Sequence, residues 1–478
     1  MRVLFVMRNH GYLRNYASTV RMLAARGHDV VVGSRGREKH MAVDTPRYLE
    51  QLHREFGGIT TEILPRRADA WLPRAAAIRA ARNALRYRHP SFRAASKLAA
   101  RAERHLSLKA PRLQKMLPSA WPAARFVSWA LGKVEDRIPT DPAIDAVVAR
   151  LRPDVMVVTP LVDFNSYQID YVKSARRLGI PVALAVASWD NLTNKGIIAV
   201  QPDRVFVWNE AQAREAVELH GVTRGRVTVT RAPLFDDWFT LGPTRSRDAF
   251  CRDVGLDTAT PFLLYLCSSI FIAPDEVAFV RGWLARLRAS PGPLRHAGVL
   301  VRPHPGVAAA WKDADLSSSG NVAVWPREGA MPLEAETKRG YFDSICHSAA
   351  VVGVNTSGLI EAGIVGRRSF TVLAPEFALT QGGTLHFSYL TASGFLTTAA
   401  SFEEHFRQLA AELAQPTPPE TFAPFVREFV RPYGLDSPAT PHLVSAIEQL
   451  AELRPLGAPR DSFAYASSTP VRREKAAS

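Results

Sequence analysis

The sequence predicts an α/β protein built from two doubly wound parallel sheets. Short apolar segments alternate with amphipathic helical segments along most of the 478 residues, and the alternation restarts near residue 260. The chain is also too long for one ordinary hydrophobic core and favours two domains. Because the apolar segments lack strict alternation with polar residues, they are typical of strands that are covered on both faces by helices.

The first half of the chain begins with a βαβ pattern. RVLFVM predicts a strand, YASTVRMLAARG a helix that ends at Gly27, and HDVVVGSR a second strand. After an interruption, the pattern continues to residue 233. The later predicted elements are, in order, the helix DPAIDAVVARLR, the strand PDVMVVTP, the helix YQIDYVKSARRLG, the strands PVALAVAS and DRVFVWN, the helix EAQAREAVELHG and the strand RVTVTRAP.

The second half repeats this scheme. Strands are predicted at TPFLLYLCSS, HAGVLVRPHP, NVAVWP, AVVGVN and RSFTVL, and helices at PDEVAFVRGWLARLRAS, YFDSICHSA, TSGLIEAGIVG and SFEEHFRQLAAELA. We therefore predict an amino-terminal Rossmann-like domain at 1–233, a linker at 234–260, a carboxyl-terminal Rossmann-like domain at 261–454 and a disordered tail at 455–478. Ligands of such sheets bind beyond the carboxyl ends of the strands.

A basic insertion interrupts the first domain at 66–133. It holds 16 Lys and Arg residues against two acidic residues, whereas the rest of the chain holds 44 basic and 43 acidic residues. Its Leu and Ala residues recur at loosely helical intervals and its prolines divide it into short pieces. Such a segment predicts contact with an anionic membrane surface. The alternative is a set of arginine-coated helices that pack on the domain through their leucines.

Two features predict the compartment. The amino-terminal apolar segment is too short for a signal peptide, and no run of about 18 apolar residues occurs. We therefore expect a cytoplasmic protein, with a possible peripheral position on the inner face of the cell membrane through 66–133. The three cysteines, Cys251, Cys267 and Cys346, follow neither a disulfide nor a metal-binding spacing, and we expect free thiols.

The segment VRPHPG places His304 between two prolines at the end of a predicted strand. Pro303 and Pro305 restrict the backbone there, and Arg302 adds a permanent positive charge. A second segment, VVGVNTSGLIEAG, ends a strand at Asn355 and starts a helix. Hydroxyl groups and free backbone N–H groups at a helix start favour an anion.

These two segments, together with the two-domain plan, resemble bacterial glycosyltransferases of the GT-B fold. The resemblance is strongest to the branch of capsular polysaccharide and teichoic-acid (CDP-glycerol) polymer transferases. It implies a nucleotide-activated sugar as donor substrate and no separate cofactor. It also implies that His304 binds the donor phosphate, with Thr356 and Ser357 at the helix start and Glu361 near the ribose. Arg302 and Gly358, which lie beside these positions in the two segments, complete the candidate donor site. The capping of its own helix is the simpler alternative for Glu361.

Residues for the acceptor side are expected at strand ends of the first domain. The candidate catalytic bases are His10, Asp163 and Asp190, and the candidate acceptor contacts are Gly11, Trp189 and Asn191. Each also fits a structural role. His10 could bond backbone, Asp163 could cap the next helix, and Asp190 with Asn191 could cap a turn.

Three functions remain open from the sequence. The first is a glycosyltransferase or polymer phosphotransferase of cell-surface glycan synthesis, acting on a glycan or lipid-linked acceptor. The second is a sugar-nucleotide epimerase of the same fold, and the third is a non-catalytic binding protein on a degenerate scaffold. No metal-spaced His/Cys cluster or phosphate-binding Gly-rich loop occurs in the sequence, so we expect metal-independent chemistry. Nucleic acid is not an expected partner.

Overall fold

The computed structural model describes residues 1–36, 45–330, 332 and 334–453, and it contains two parallel sheets. The first sheet has seven strands in the order β3-β2-β1-β4-β5-β6-β7. These strands are β1 Arg2–Met7, β2 Asp29–Ser34, β3 Ile59–Ile63, β4 Val155–Thr159, β5 Val182–Ala185, β6 Arg204–Val207 and β7 Val227–Val229. Successive β1 residues point to opposite faces, so Leu4 and Val6 join one core and Val3 and Phe5 the other.

Helices cover both faces of this sheet. They are α1 Ala17–Ala25, α2 Thr45–Phe56, α3 Leu72–Arg86, α4 Ser96–Lys109, α5 Pro111–Gln114, α6 Trp121–Arg137, α7 Pro142–Leu151, α8 Gln168–Arg177, α9 Asn191–Asn194 and α10 Glu210–His220. The start of α7 illustrates how local sequence determines where a helix begins. Asp141 accepts hydrogen bonds from the N–H groups of Ala143 and Ile144, and Pro142 occupies the first turn, where it needs no donor.

The second sheet has six strands in the order β10-β9-β8-β11-β12-β13. They are β8 Phe262–Leu266, β9 Gly298–Arg302, β10 Val322–Val324, β11 Ala350–Gly353, β12 Ser369–Val372 and β13 Leu396–Ala399. The helices are α11 Arg247–Val254, α12 Glu276–Ala289, α13 Ala309–Lys312, α14 Ala335–Cys346, α15 Gly358–Ile364, α16 Phe387–Ala392, α17 Phe402–Ala414, α18 Ala423–Phe429 and α19 Ala439–Glu452. The predicted pair of doubly wound parallel sheets is therefore confirmed.

Two segments lie in a different domain from the one that the sequence predicts. Helix α19 was expected in the second domain, but its residues Leu443 and Ile447 pack in the core beneath β1 of the first domain. Helix α11 falls within the predicted linker, yet Phe250 belongs to the core of the second domain. Amphipathic helices show that a face is buried but not against which sheet, so sequence alone could not make this assignment.

The return of the chain to the first domain is fixed at Asp236. This carboxylate accepts hydrogen bonds from the N–H groups of Ala439 (2.8 Å) and Thr440 (2.7 Å) at the start of α19. It also pairs with Arg431 at 3.1 Å. Phe235 and Trp238 on either side are buried in the core of the second domain.

The basic insertion forms helices α3 to α6, and prolines begin α3 and α5 within their first turns, where a missing N–H group costs nothing. Several of its cations are buried rather than exposed. Arg79 donates to both Glu135 (2.8 Å) and Asp170 (2.7 Å), and Arg67 donates to Asp170 (3.0 Å). Removing one partner of such a buried network typically costs about 3–5 kcal/mol. The insertion is therefore an integral layer of the first domain.

All three cysteines are free thiols, as the sequence predicts. Among the described residues, none of the helices is both long and apolar enough to cross a bilayer. The tail predicted to be disordered lies outside the described residues.

Candidate functional site

A cavity of about 740 Å³ opens between the two sheets and is lined by both domains. Loops after β1, β4 and β5 form one wall, and loops after β8, β9 and β11 form the other. Both sheets reverse their strand order at this point, between β1 and β4 and between β8 and β11. In doubly wound sheets this switch point is where the loops separate and leave a crevice for a ligand.

The cavity has an excess of positive charge. Among the residues that the structure describes, seven basic side chains line it against three acidic ones. The basic residues are Arg8, Arg14, Arg35, Arg66, Arg101, Lys195 and Arg302, and the acidic ones are Asp163, Asp190 and Glu361. Positive charge inside a low-dielectric crevice concentrates anionic ligands. The geometry therefore favours a negatively charged small molecule.

His304 lies at the cavity wall in the position that the sequence predicts. Its Nδ1 accepts a hydrogen bond of 3.0 Å from the N–H of Gly306, so the neutral ring carries its proton on Nε2. Burial, together with the nearby charge of Arg14, lowers the pKa of His304 to about 4. The imidazole is therefore a neutral N–H donor at physiological pH and not a cation.

Arg302 is held beneath the cavity by two aromatic rings. Its guanidinium lies 4.6 Å from the centre of the Tyr341 ring and 5.0 Å from that of Trp325, and it donates to Ser344 Oγ at 3.2 Å. Burial lowers the pKa of Arg302 to about 10, which still leaves it charged at neutral pH. A stacked guanidinium keeps its planar donor edge in one orientation.

The start of the segment VVGVNTSGLIEAG that forms a helix, which the sequence predicts to favour an anion, also lies in the cavity wall. Thr356, Ser357 and Gly358 line it at the start of α15, and the side chain of Ser357 makes no capping hydrogen bond. A Cβ atom at Gly358 would lie 2.6 Å from Leu266 Cδ1 and 2.7 Å from Tyr341 Oη. Glycine is thus required there by close packing of the helix against β8 and α14.

Glu361 lines the same wall and accepts a hydrogen bond of 2.5 Å from Tyr341 Oη. Burial raises the pKa of this carboxyl group, although the Tyr341 hydrogen bond and the charges of Arg14 and Arg302 act in the opposite direction. The contact of Glu361 with a ribose remains a prediction. Within the protein, Tyr341 is its hydrogen-bond donor.

Asp163 and Asp190 face these groups from the first domain. Lys195 Nζ lies 3.1 Å from Asp163 Oδ1, and Arg8 lies 3.2 Å from Asp163 Oδ2. Asp190 accepts from Asn194 Nδ2 at 3.1 Å. Burial opposes ionisation of Asp190, but the charge of Lys195, together with the influence of His386 and hydrogen bonds from Ser188 and Asn194, outweighs it and lowers the pKa of this carboxyl group. The first-domain wall therefore holds two carboxylates, one paired with Lys195 and the other influenced by its charge.

The structure separates the other sequence candidates. Trp189 lines the cavity, whereas His10, Gly11 and Asn191 are not among its lining residues. Asn191 Oδ1 accepts from the N–H of Ala187, which fits the structural alternative of a turn. His10 packs beside the backbone of Val32, and burial lowers its pKa. The expectation that site residues follow strand ends selected the loop after β1 correctly. That loop places Arg8 and Arg14 in the cavity wall rather than His10 and Gly11.

His386 was not found by the sequence interpretation, although it lies where the two domains meet in the cavity. Asn355 Nδ2 donates to its Nε2 at 3.4 Å, so Nδ1 carries the proton toward Thr193 Oγ1 at 3.3 Å. Its ring meets Trp189 edge to face, with centroids 4.7 Å apart. Burial lowers the pKa of His386 to about 4. No strand or helix-start pattern surrounds GTLHFSY, so no sequence signal marked it.

The basic insertion reaches the cavity as well. Arg101 on α4 donates to Asn194 Oδ1 at 3.0 Å and lies 4.3 Å from the centre of the Phe271 ring, in the second domain. Lys97, one turn earlier, donates to the carbonyl of Phe271 at 2.7 Å. The insertion thus contacts both domains at the edge of the cleft and contributes a cation to it.

Comparisons with known proteins agree with this architecture. No protein family model matches the chain, and no curated protein matches it. Among solved structures, UDP-GlcNAc 2-epimerase of Neisseria meningitidis bound to UDP-GlcNAc has a TM-score of 0.54 at 12% identity and covers 94% of this chain and 100% of its own.

Two further structures show the same relationship. UDP-GlcNAc 2-epimerase of Methanocaldococcus jannaschii has a TM-score of 0.52 at 10% identity, with coverage of 94% and 100%. A glycosyltransferase of Rickettsia africae has a TM-score of 0.53 at 8% identity, with coverage of 95% and 99%. The chain has a GT-B-like fold. At these identities the likeness establishes the fold, and the narrower resemblance to teichoic-acid polymer transferases remains a prediction.

Proposed function

We propose that this chain is an enzyme that binds a nucleotide-diphosphate sugar in the cleft and inverts one carbon centre of the sugar. The observation that carries this proposal is the arrangement of the cavity. Two carboxylates, Asp163 and Asp190, face a wall of anion-binding groups from the second domain. Similarity in fold to several UDP-GlcNAc 2-epimerases supports the same class of reaction and makes UDP-GlcNAc the first substrate to test.

The second domain has the chemistry needed to hold the diphosphate. Arg302 supplies a fixed positive charge, and His304 supplies a neutral N–H donor. The start of α15 supplies hydroxyl and backbone N–H donors. Because these groups remain in the same protonation state between about pH 6 and 8, the leaving nucleotide is stabilised across that range. The assignment of Thr356 and Ser357 as phosphate ligands belongs to this proposal.

The first domain supplies the proton chemistry. Inverting the C–H centre beside the anomeric carbon requires one group that removes the proton, while the C–H electron pair forms a C=C bond and expels the nucleotide diphosphate held by the second domain. A second group must return a proton to the opposite face of that carbon as the diphosphate adds back to the anomeric carbon, whereas a transferase needs only one base. Asp190 is kept ionised by Lys195 and is suited to remove the proton. Asp163 is paired with the same lysine and is the candidate for its return. His10, which the sequence also offered as a base, does not line the cavity.

A glycosyltransferase is the second candidate, and the fold likeness to the Rickettsia africae enzyme favours it. In that reaction a single carboxylate would deprotonate the acceptor hydroxyl while the second domain held the departing nucleotide. The acceptor would be a glycan or a lipid-linked sugar of the cell surface, reached at the inner face of the membrane. Neither candidate reaction requires a metal ion for the roles given above.

The deciding experiment is incubation of the pure protein with UDP-GlcNAc alone in D2O, followed by NMR. An epimerase produces the epimer and incorporates deuterium at the inverted carbon without any acceptor. Asp190→Asn abolishes this signal and Asp248→Asn, a carboxylate that is 58% exposed outside the cavity, leaves it intact. Turnover that appears only with an added sugar acceptor would instead establish the transferase.

Calorimetric titration with UDP, CDP, GDP and TDP completes the test, because it measures binding without turnover. Selective binding of one nucleotide, with no reaction on any of its sugars, would support the non-catalytic alternative. Absence of binding to all four would contradict both catalytic proposals.

A further inference from the structure

The outer face of the basic insertion exposes large apolar side chains. Leu108 and Met116 are each 78% exposed, Phe126 is 66% exposed and Trp129 is 59% exposed. The Phe126 and Trp129 rings lie 5.8 Å apart. We call these four residues the apolar patch. Single exposed apolar residues are common on proteins and occur elsewhere on this chain, but two adjacent exposed aromatic rings on one helix of the basic insertion indicate an interaction surface.

The geometry of α6 directs part of this patch away from the protein. Phe126, Trp129 and Lys133 follow one another at intervals of three and four residues, so they share one face of the helix. The buried residues Ala124 and Glu135 lie on the opposite face, and Glu135 accepts hydrogen bonds from Arg79 on α3. The inner face is therefore already occupied.

Exposed basic residues flank the patch residues along the chain, and we call them the basic rim. Between residues 104 and 137, seven exposed side chains are basic and one exposed side chain, Asp136, is acidic. The exposed basic residues are Arg104, Lys109, Arg112, Lys115, Arg125, Lys133 and Arg137. Apolar and aromatic groups within a basic rim match the two layers of a membrane surface, which presents anionic headgroups above hydrocarbon.

We propose that the apolar patch and its basic rim dock the protein on an anionic lipid bilayer. Trp129 and Phe126 enter the interfacial layer, where aromatic rings are favoured, and the Lys and Arg side chains contact headgroup phosphates. This interaction concerns a surface outside the cavity and does not depend on which reaction the cavity performs.

The charge of the rim argues against two other occupants. A symmetric contact between two copies would place like-charged rims against each other, which is unfavourable. Double-stranded nucleic acid would satisfy the basic residues but would leave Leu108 and Met116 without an apolar environment. A bilayer satisfies both parts of the surface.

The same helix connects this surface with the cleft. Arg101 lines the cavity and Leu108 belongs to the patch, and both lie on α4. Seven residues of helix correspond to roughly 10 Å along its axis. Docking through the patch would hold this edge of the cleft close to the membrane, within reach of a lipid-linked substrate.

The test is vesicle flotation of the full chain, with phosphatidylcholine vesicles that do or do not contain about one third phosphatidylglycerol. We expect binding to the anionic vesicles that weakens with salt, and a fall of about tenfold or more in Phe126→Ser/Trp129→Ser. The matched control is Leu379→Ser, which removes a 51% exposed leucine of the second domain, and it should bind like the wild type.

Fluorescence gives a second readout. Brominated lipids should quench the emission of the wild-type protein, and Trp129→Phe should lose most of that quenching while it still binds. Circular dichroism and thermal unfolding of each variant test whether the fold is retained.

Four outcomes would overturn the inference. The first is vesicle binding that the double variant does not reduce, and the second is equal binding to vesicles that lack anionic lipid. The third is no vesicle binding by a protein that forms a dimer, where the double variant dissociates the dimer; this result would assign the patch to a second copy. The fourth is no vesicle binding together with binding of duplex DNA that depends on Lys109, Arg112 and Lys115.

Discussion

The two walls of the cleft are built by different means. In the second domain, Arg302 ends strand β9, and His304 and Ser357 lie a few residues after the strands that position them. Prolines flank His304 and aromatic rings hold Arg302. In the first domain the wall combines residues that are far apart in the chain, such as Arg8 and Arg101. A rigid local wall suits a constant ligand group, and a composite wall suits the part of the substrate that varies.

The comparison predicts that proton chemistry belongs to the composite wall. Asp190→Asn should lower turnover by about 10²- to 10⁴-fold, the usual contribution of a general base, with nucleotide affinity unchanged. Steady-state rates and calorimetry on the same preparation measure the two quantities. Loss of nucleotide affinity in this variant would move Asp190 to a binding role.

Phosphate binding should belong to the local wall. His304→Ala removes a neutral donor to a charged group, which is worth about 1.5–3 kcal/mol, or roughly 10- to 100-fold in nucleotide affinity. Turnover should fall together with affinity. His296→Ala, an exposed histidine of the same domain, is the control. Wild-type affinity in His304→Ala would remove His304 from the donor site.

The contribution of the insertion to ligand binding by the first-domain wall is tested by a substitution at Arg101. Arg101→Ala should weaken nucleotide-sugar binding by about threefold to tenfold, because a half-buried cation contributes less than a fully buried one. Arg104→Ala on the exposed side of the same helix should change nothing. An equal loss in both variants would show that the overall charge of the insertion matters and that the position of Arg101 does not.

The smallest effect concerns stability of the second domain. Burial lowers the pKa of His405 to about 4, against an ordinary value of 6.5, and neither ring nitrogen makes a hydrogen bond among the described residues. The unfolded chain takes up this proton below about pH 6.5 and the folded chain does not. Folding stability is therefore full above pH 6.5 and falls by about 1–2 kcal/mol on acidification to about pH 5.

His405→Phe should reduce that loss, because a ring that cannot be protonated replaces it next to Trp283. Thermal unfolding at about pH 7 and about pH 5 measures the difference. An unchanged pH dependence in the variant would assign the acid sensitivity to His304 or His386, whose pKa values are also lowered to about 4.

Local patterns explain which parts of the site were predictable. The strands read as unbroken apolar segments, and the functional residues of the second domain follow them within a few positions, as in VRPHPG and VNTSG. Tyr341 and His386 carry no such signal. Both reach the cavity through contacts between segments that are separate in the chain, because Tyr341 Oη donates to Glu361 and Asn355 Nδ2 donates to His386 Nε2, which is a property of the assembled domain.

The sequence by itself determined the two parallel sheets, the cleft between them and the residues directly after the strands. Periodicity and strand-end position are local properties, and hydrophobic burial enforces them. Only the tertiary structure decided that α19 returns to the first domain, that Arg101 reaches the cleft and that His10 does not. These outcomes depend on which surfaces fit together across long chain separations, and a one-dimensional pattern does not encode that fit.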